Sequence, residues 1–181
     1  MRIFEGILDQ AKQIASPNCD ERPLKEISLV VIHCISLPAG HFGNTYVEKL
    51  FCNEISGDEH PDFCDLPCLK VSSHLFIRRN GEIIQFVPFH KRAWHAGKSE
   101  FRGRENCNDF SVGIELEGID TGEYSQHQYE ILGEICSIMQ SQWSLDRDVF
   151  VAHSDIAPNR KSDPGPGFDW DKLFVNFSHT A

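Results

Sequence analysis

Two short runs in the 181-residue chain, Ser28–His33 (SLVVIH) and Val149–His153 (VFVAH), are dense in β-branched and aliphatic side chains, and each stops at a histidine. A strand that is apolar at successive rather than alternate positions has to be covered on both faces, which puts it inside a layered sheet. A third run, Ser111–Leu116 (SVGIEL), alternates and delivers Glu115 near its end. Val71–Pro88 (VSSHLFIRRNGEIIQFVP) reads as two strands around Asn80-Gly81, a dipeptide suited to a hairpin because both positions tolerate positive φ.

Helical signals lie between these runs. Ile3, Phe4, Ile7, Leu8, Ala11 and Ile14 fall at helical spacing, which predicts an amphipathic helix stopped before Pro17. Ser125 and Gln128 are spaced as a capping box for a long helix carrying Leu132, Ile135, Met139 and Trp143. The segment Asp169–Phe177 (DWDKLFVNF) predicts a short helix with Asp169 or Asp171 at its positive end. Strands and helices interleave while the hairpin forces antiparallel pairing. The expectation is an α/β fold: a single domain over residues 1–181 with a mixed central β-sheet flanked by helices.

The formal charge of −10 argues against a nucleic-acid or anionic-membrane surface, which needs clustered Lys and Arg. No apolar run approaches the roughly 18 residues that span a bilayer. The opening MRIFEGILDQAKQIASP lacks the unbroken apolar core of a signal peptide, so a cytoplasmic protein is expected. Seven cysteines, an odd number, then read as reduced thiols. Cys52, His60, Cys64 and Cys68 stand at C-x7-H-x3-C-x3-C, which matches no common zinc knuckle.

The sheet is expected to present His33, Glu115 and His153 at strand ends, and the stretch after His153 is too polar for core and too rich in Pro and Gly for helix. It carries Lys161 and Asp163. A lone histidine ending a strand is commonly a hydrogen-bonded structural residue. Two of them with a nearby aspartate are also one ligand set for catalytic zinc, because three protein ligands leave a fourth position for water. Glu115 could then move a proton and Lys161 could hold negative charge, an arrangement suited to amide hydrolysis. The His153-to-Asp163 spacing has no diagnostic power of its own, and a cysteine hydrolase using Cys34 stays open at this point.

Four longer blocks narrow the choice. SLVVIHCISLPAGHFG, HLFIRRNGEIIQFVPFHKRAWHAGKS, GRENCNDFSVGIELEG and HSDIAPNRKSDPGPGFDW, running from about Arg22 to Trp170, resemble the AmpD-type N-acetylmuramyl-L-alanine amidases of the zinc amidase and peptidoglycan-recognition superfamily, in order and in spacing. The resemblance implies Zn²⁺ held by His33, His153 and Asp163, catalysis by Glu115, and transition-state stabilisation by Lys161. It implies cleavage between N-acetylmuramic acid and the L-alanine of the stem peptide, with cytosolic members preferring the 1,6-anhydro sugar released in cell-wall recycling. The partner it implies is a muropeptide, with no nucleic acid, membrane or protein partner. Cys34 stands where the family carries asparagine, and Lys70 where it carries arginine; both are candidate substrate contacts, as are Trp94 and His95. A thiol is a weak donor and acceptor, so the first departure bears on substrate rather than metal. Arg78 to Arg104 holds Arg78, Arg79, Lys91, Arg92, Lys98, Arg102 and Arg104 against Glu82 and Glu100, a +5 segment that could receive carboxylates or form an ordinary solvated face. A non-catalytic peptidoglycan-fragment binding module is the rival reading, and loss of a zinc ligand or of the carboxylate would mark one.

Overall fold

The computed structural model describes residues 1–177. Its centre is a six-stranded sheet whose strands lie in the order Phe150–Ala152, Leu29–Ile35, Ser111–Glu117, Leu75–Ile77, Ile83–Gln85, Lys12–Gln13. The first four run parallel, the Asn80-Gly81 connection makes the next pair antiparallel, and the edge strand is parallel to its neighbour. This is the mixed sheet that the interleaved pattern predicts.

Both faces are covered, as the unbroken apolar runs require. Along the central strands Val30, Ile32, Val112, Ile114 and Leu116 turn to one side, where they meet Leu132, Ile135 and Met139 of the helix Gln126–Trp143 and Leu173 of the helix Trp170–Asn176. Leu29 and Val31 turn the other way and pack with Phe110, Val151 and Ile156. Farther along that side, Phe76 and Ile84 are buried with Leu50 and Phe51 of the short helix Tyr46–Phe51. Ser125 Oγ accepts from Gln128 N–H at 3.2 Å while the Gln128 side chain accepts from Ser125 N–H at 3.0 Å, so the capping box forms. Asp169 caps the last helix, accepting from Lys172 N–H at 3.0 Å. No helix among the described residues is long and apolar enough to cross a membrane.

One local expectation needs correction. Residues 3–14 are not a helix. Ile3–Phe4 and Ile7–Leu8 pair antiparallel across a turn in which Glu5 has φ 49° and Gly6 φ 79°. Lys12–Gln13 then extends the sheet, with Ile14 N–H donating to Gln85 C=O at 3.0 Å. Pairs of apolar residues four apart suit a helix, but they equally suit a hairpin that sets Ile3 opposite Leu8 and Phe4 opposite Ile7. Gly6 tips the balance, being weak inside a helix and unstrained in the turn. In the second hairpin only Gly81 has positive φ, +88°. Gly81 N–H donates to Arg78 C=O, and Asn80 Oδ1 accepts from Glu82 N–H at 3.0 Å, so asparagine braces the turn with its side chain and keeps an ordinary backbone.

Candidate functional site

The parallel register sets Glu115 directly beside His33 on adjacent strands, both on the face opposite the long helix. His153 follows the neighbouring strand and opens the short helix His153–Ile156. The loop then returns: Ser154 N–H donates to Asp163 C=O at 3.1 Å, which brings the Asp163 side chain back to the histidines. His33 Nδ1 lies 2.9 Å from His153 Nδ1 and 3.2 Å from Asp163 Oδ2, and His153 Nδ1 lies 3.0 Å from the same oxygen. Ligand atoms about 2.1 Å from a tetrahedral ion sit roughly 3.4 Å from one another, so the triangle has nearly the size of one ligand face. Among the described residues this is the group of histidines, cysteines and carboxylates that could hold a metal ion.

Second partners bear on the protons. His153 Nε2 faces the Ala96 carbonyl at 3.3 Å; a carbonyl only accepts, so Nε2 carries a proton and Nδ1 is the nitrogen turned to the site. Burial pushes His33 down to about 4, with Asp163 opposing, so the ring is neutral near pH 7. Burial pulls Asp163 upward, but its contacts with His153 and His33 outweigh that and hold it below the usual carboxylate range. A carboxylate oxygen and two imidazole nitrogens converging on one point form a donor set that a cation would satisfy.

Glu115 is buried, and its Oε2 has no hydrogen-bond partner among the described residues. Burial raises its pKa well above the ordinary value and the Asp163 charge adds to this, while Lys161 opposes. A carboxyl poised to take and return a proton fits those conditions. Lys161 is exposed on the rim of a cleft of about 280 Å³ that His33, Glu115, His153, Asp163 and Trp94 also line.

The other sequence candidates separate. Cys34 borders the cleft, but its backbone neighbours Val30 and Ile32 mark the long-helix face, and burial pushes its thiol up to about 12 despite a hydrogen bond with Tyr124. A protonated thiol is a poor nucleophile, which removes the support for a cysteine hydrolase. Trp94 walls the cleft and donates from Nε1 to Asp20 at 3.2 Å. His95 also lines it, with both ring nitrogens engaged by His33 and Ser111. Lys70 is exposed, and its neighbours Leu69 and Val71, rather than Lys70, line the cleft.

The basic segment is largely consumed within the protein. Arg78 pairs with Glu48, Glu82 and Glu117, Lys91 with Glu21, Arg92 with Asp20 and Asp109, Arg102 with Asp148, and Arg104 with Glu26. These pairs, most of them with acids distant in sequence, favour the ordinary solvated face over the carboxylate-receiving segment. Cys64 and Cys68 are exposed, and the Cys52–Cys68 set forms no metal-binding group among the described residues. Ser111, Asn108 and Tyr124, which hold the site from behind, escaped sequence reasoning. One signal was available, the isolated Gly113 inside an apolar strand, a common mark of close approach.

The family described as N-acetylmuramoyl-L-alanine amidase matches residues 23–166. A 1,6-anhydro-N-acetylmuramyl-L-alanine amidase AmpD from Salmonella typhimurium is 49% identical over 170 residues, 93% of this chain and 91% of that protein. The crystal structure of a selenomethionine AmpD derivative superposes with a TM-score of 0.95 at 46% identity, covering 97% of this chain and 99% of that one. A complex of the amidase AmiD from E. coli with anhydro-N-acetylmuramic acid-L-Ala-D-γ-Glu-L-Lys aligns with a TM-score of 0.62 at 29% identity, covering 97% of this chain and 65% of that one.

Proposed function

This chain belongs to the N-acetylmuramoyl-L-alanine amidase family, and from that premise we propose that it is a zinc enzyme of cell-wall recycling, hydrolysing the amide between 1,6-anhydro-N-acetylmuramic acid and the L-alanine of a stem peptide. The single observation that carries the zinc reading is the convergence of His33 Nδ1, His153 Nδ1 and Asp163 Oδ2 beside a buried carboxyl with an oxygen that has no hydrogen-bond partner among the described residues. Two imidazoles and one carboxylate are a ligand set that suits zinc and leaves one position for water. Zinc bound there supplies Lewis acidity and makes water acidic enough to attack near neutral pH.

The remaining roles belong to the chain. Glu115 takes the proton of the attacking water and returns it to the alanine nitrogen as the carbon–nitrogen bond breaks, so the muramyl group leaves as a carboxylate and the peptide as a free amine. Lys161 holds the negative charge that builds on the carbonyl oxygen. Trp94 forms a wall for the sugar or peptide, and Cys34 borders the same cleft with a weaker hydrogen-bonding group than asparagine. Presence of the whole ligand set and of Glu115 favours an enzyme over a binding module. Residues 1–181 act as one zinc amidase domain. The seven cysteines are all free, which suits the reducing cytoplasm.

The test is metal analysis of purified protein together with mass spectrometry of products from a defined anhydromuropeptide. One zinc per chain, loss of turnover on chelation, and an intact peptide beginning with L-alanine are expected. Full turnover in metal-free protein, or cleavage inside the peptide, would falsify the proposal.

A further inference from the structure

The His33 ring carries two nitrogens, and only Nδ1 points to His153 and Asp163. Nε2 lies 2.9 Å from His95 Nδ1, and His95 Nε2 lies 3.1 Å from the Ser111 hydroxyl. Protons can run along this chain in two directions. If Ser111 donates to His95 and His95 to His33, the His33 proton sits on Nδ1, where a metal ion would otherwise be held. If His33 donates to His95 and His95 to Ser111, Nδ1 is bare, and both histidines offer lone pairs to one point. We propose that His95 is a positioning residue for this centre: by accepting the His33 Nε2–H it fixes the tautomer and ring plane in which His33 can hold a metal. The inference rests on the metal reading above and adds to it a residue that acts through His33.

The surroundings of His95 hold it in place. Its backbone N–H and that of Ala96 both donate to Asn108 Oδ1, at 3.1 and 2.8 Å. Its ring lies over Gly113, where an added Cβ would stand 2.4 Å from His95 Cγ, so any side chain at that position would drive the ring away. His74 meets it edge-on with centroids 5.8 Å apart and is itself fixed, accepting from Gly113 N–H at 3.0 Å and facing the Lys91 carbonyl at 3.1 Å. One strand thus supplies Ser111 to orient His95, Gly113 to make room for it, and Glu115 beside His33. Outer groups of this kind orient a ligand and raise its basicity, and their loss typically costs about 10- to 100-fold in metal affinity.

Competition with a chromophoric chelator measures zinc affinity for the wild type, His95→Ala, His95→Asn and Ser111→Ala, and long-range proton–nitrogen NMR reads the imidazoles of the zinc-loaded wild type. His95→Ala is expected to weaken zinc binding about 10- to 100-fold. His95→Asn, whose Oδ1 can replace Nδ1 as the acceptor, should recover most of that loss, and Ser111→Ala should lose less than His95→Ala. The spectrum should place the His95 proton on Nε2. Wild-type affinity in His95→Ala, an asparagine variant no better than alanine, or a His95 proton on Nδ1 overturns the proposal, and the spectrum decides it even if His95→Ala does not fold. A wild type that takes up no zinc overturns the metal reading and this inference together; tight wild-type binding with an indifferent His95→Ala overturns this inference alone.

Discussion

The site has two halves that are held by different means. His33 and Glu115 sit on adjacent strands of a parallel pair, where backbone hydrogen bonds on both sides fix their separation. Lys161 and Asp163 sit on a loop whose path depends on a few specific ties. Tyr124 Oη donates to Pro164 C=O at 2.7 Å, Ser154 N–H donates to Asp163 C=O at 3.1 Å, and Gly165 runs so close to Asp120 that an added Cβ would lie 1.8 Å from its carbonyl oxygen. The sheet half is set by register, and the loop half by side chains and glycines. Damage should therefore spread differently: a substitution on the strands should remove one function and leave its neighbours in place, whereas one at the residues that tie down the loop should displace its ligand as well.

The largest effect expected is from His153→Ala, where the two halves join. It should abolish zinc binding and bring turnover to background, as read by metal analysis and single-turnover kinetics. Glu115→Gln comes next and tests whether the strand half can lose chemistry alone: zinc content should stay at the wild-type level while the rate falls by about 10² to 10⁴. A variant within a fewfold of wild type would mean that the proton moves elsewhere. The same substitution has a consequence for stability. Because Glu115 has a raised folded-state pKa, its favourable contribution is complete below the unfolded value of about 4.3 and is lost as pH rises through the folded value. Metal-free Glu115→Gln should accordingly gain in melting temperature relative to metal-free wild type as pH rises from 4 to 8. A constant difference across that range would show that burial does not control this carboxyl.

Lys161→Met should lower the rate by about 10² to 10³ with zinc retained, the range for one lost oxyanion donor. If it emerges metal-free, the lysine is holding the loop in place. Gly165→Ala addresses the loop half without touching a proposed chemical group. Its φ of +84° and the approach to Asp120 make any side chain strained, so a lower melting temperature and weaker zinc binding should appear together. Normal zinc affinity in a destabilised Gly165→Ala would break the link between loop path and ligand placement. The smallest effect is expected at Cys34, where serine keeps the size and alters only the polar group. A change of a fewfold in KM with kcat preserved is expected, whereas a loss of several thousandfold with zinc bound would revive the cysteine mechanism.

Much of the framework follows from the amino-acid order alone. The apolar runs that end at His33 and His153, Ser28–His33 and Val149–His153, demand a sheet covered on both faces, Ser125 with Gln128 marks a helix start, and Asn80-Gly81 marks a reversal, because each rests on local backbone and burial preferences. Local preference misled at residues 3–14, where one pattern of apolar pairs fits two structures, and Gly6 in the turn together with the open edge beside Ile83–Gln85 selects the strands. It also said nothing of the partners of Arg92 and Arg104, whose acids Asp20 and Glu26 are 72 and 78 residues away. Histidines at strand ends were visible in sequence. That His33 faces His95 at one nitrogen and Asp163 at the other was decided by strand order and register, since an imidazole acquires its tautomer from whatever the fold brings against each side of the ring.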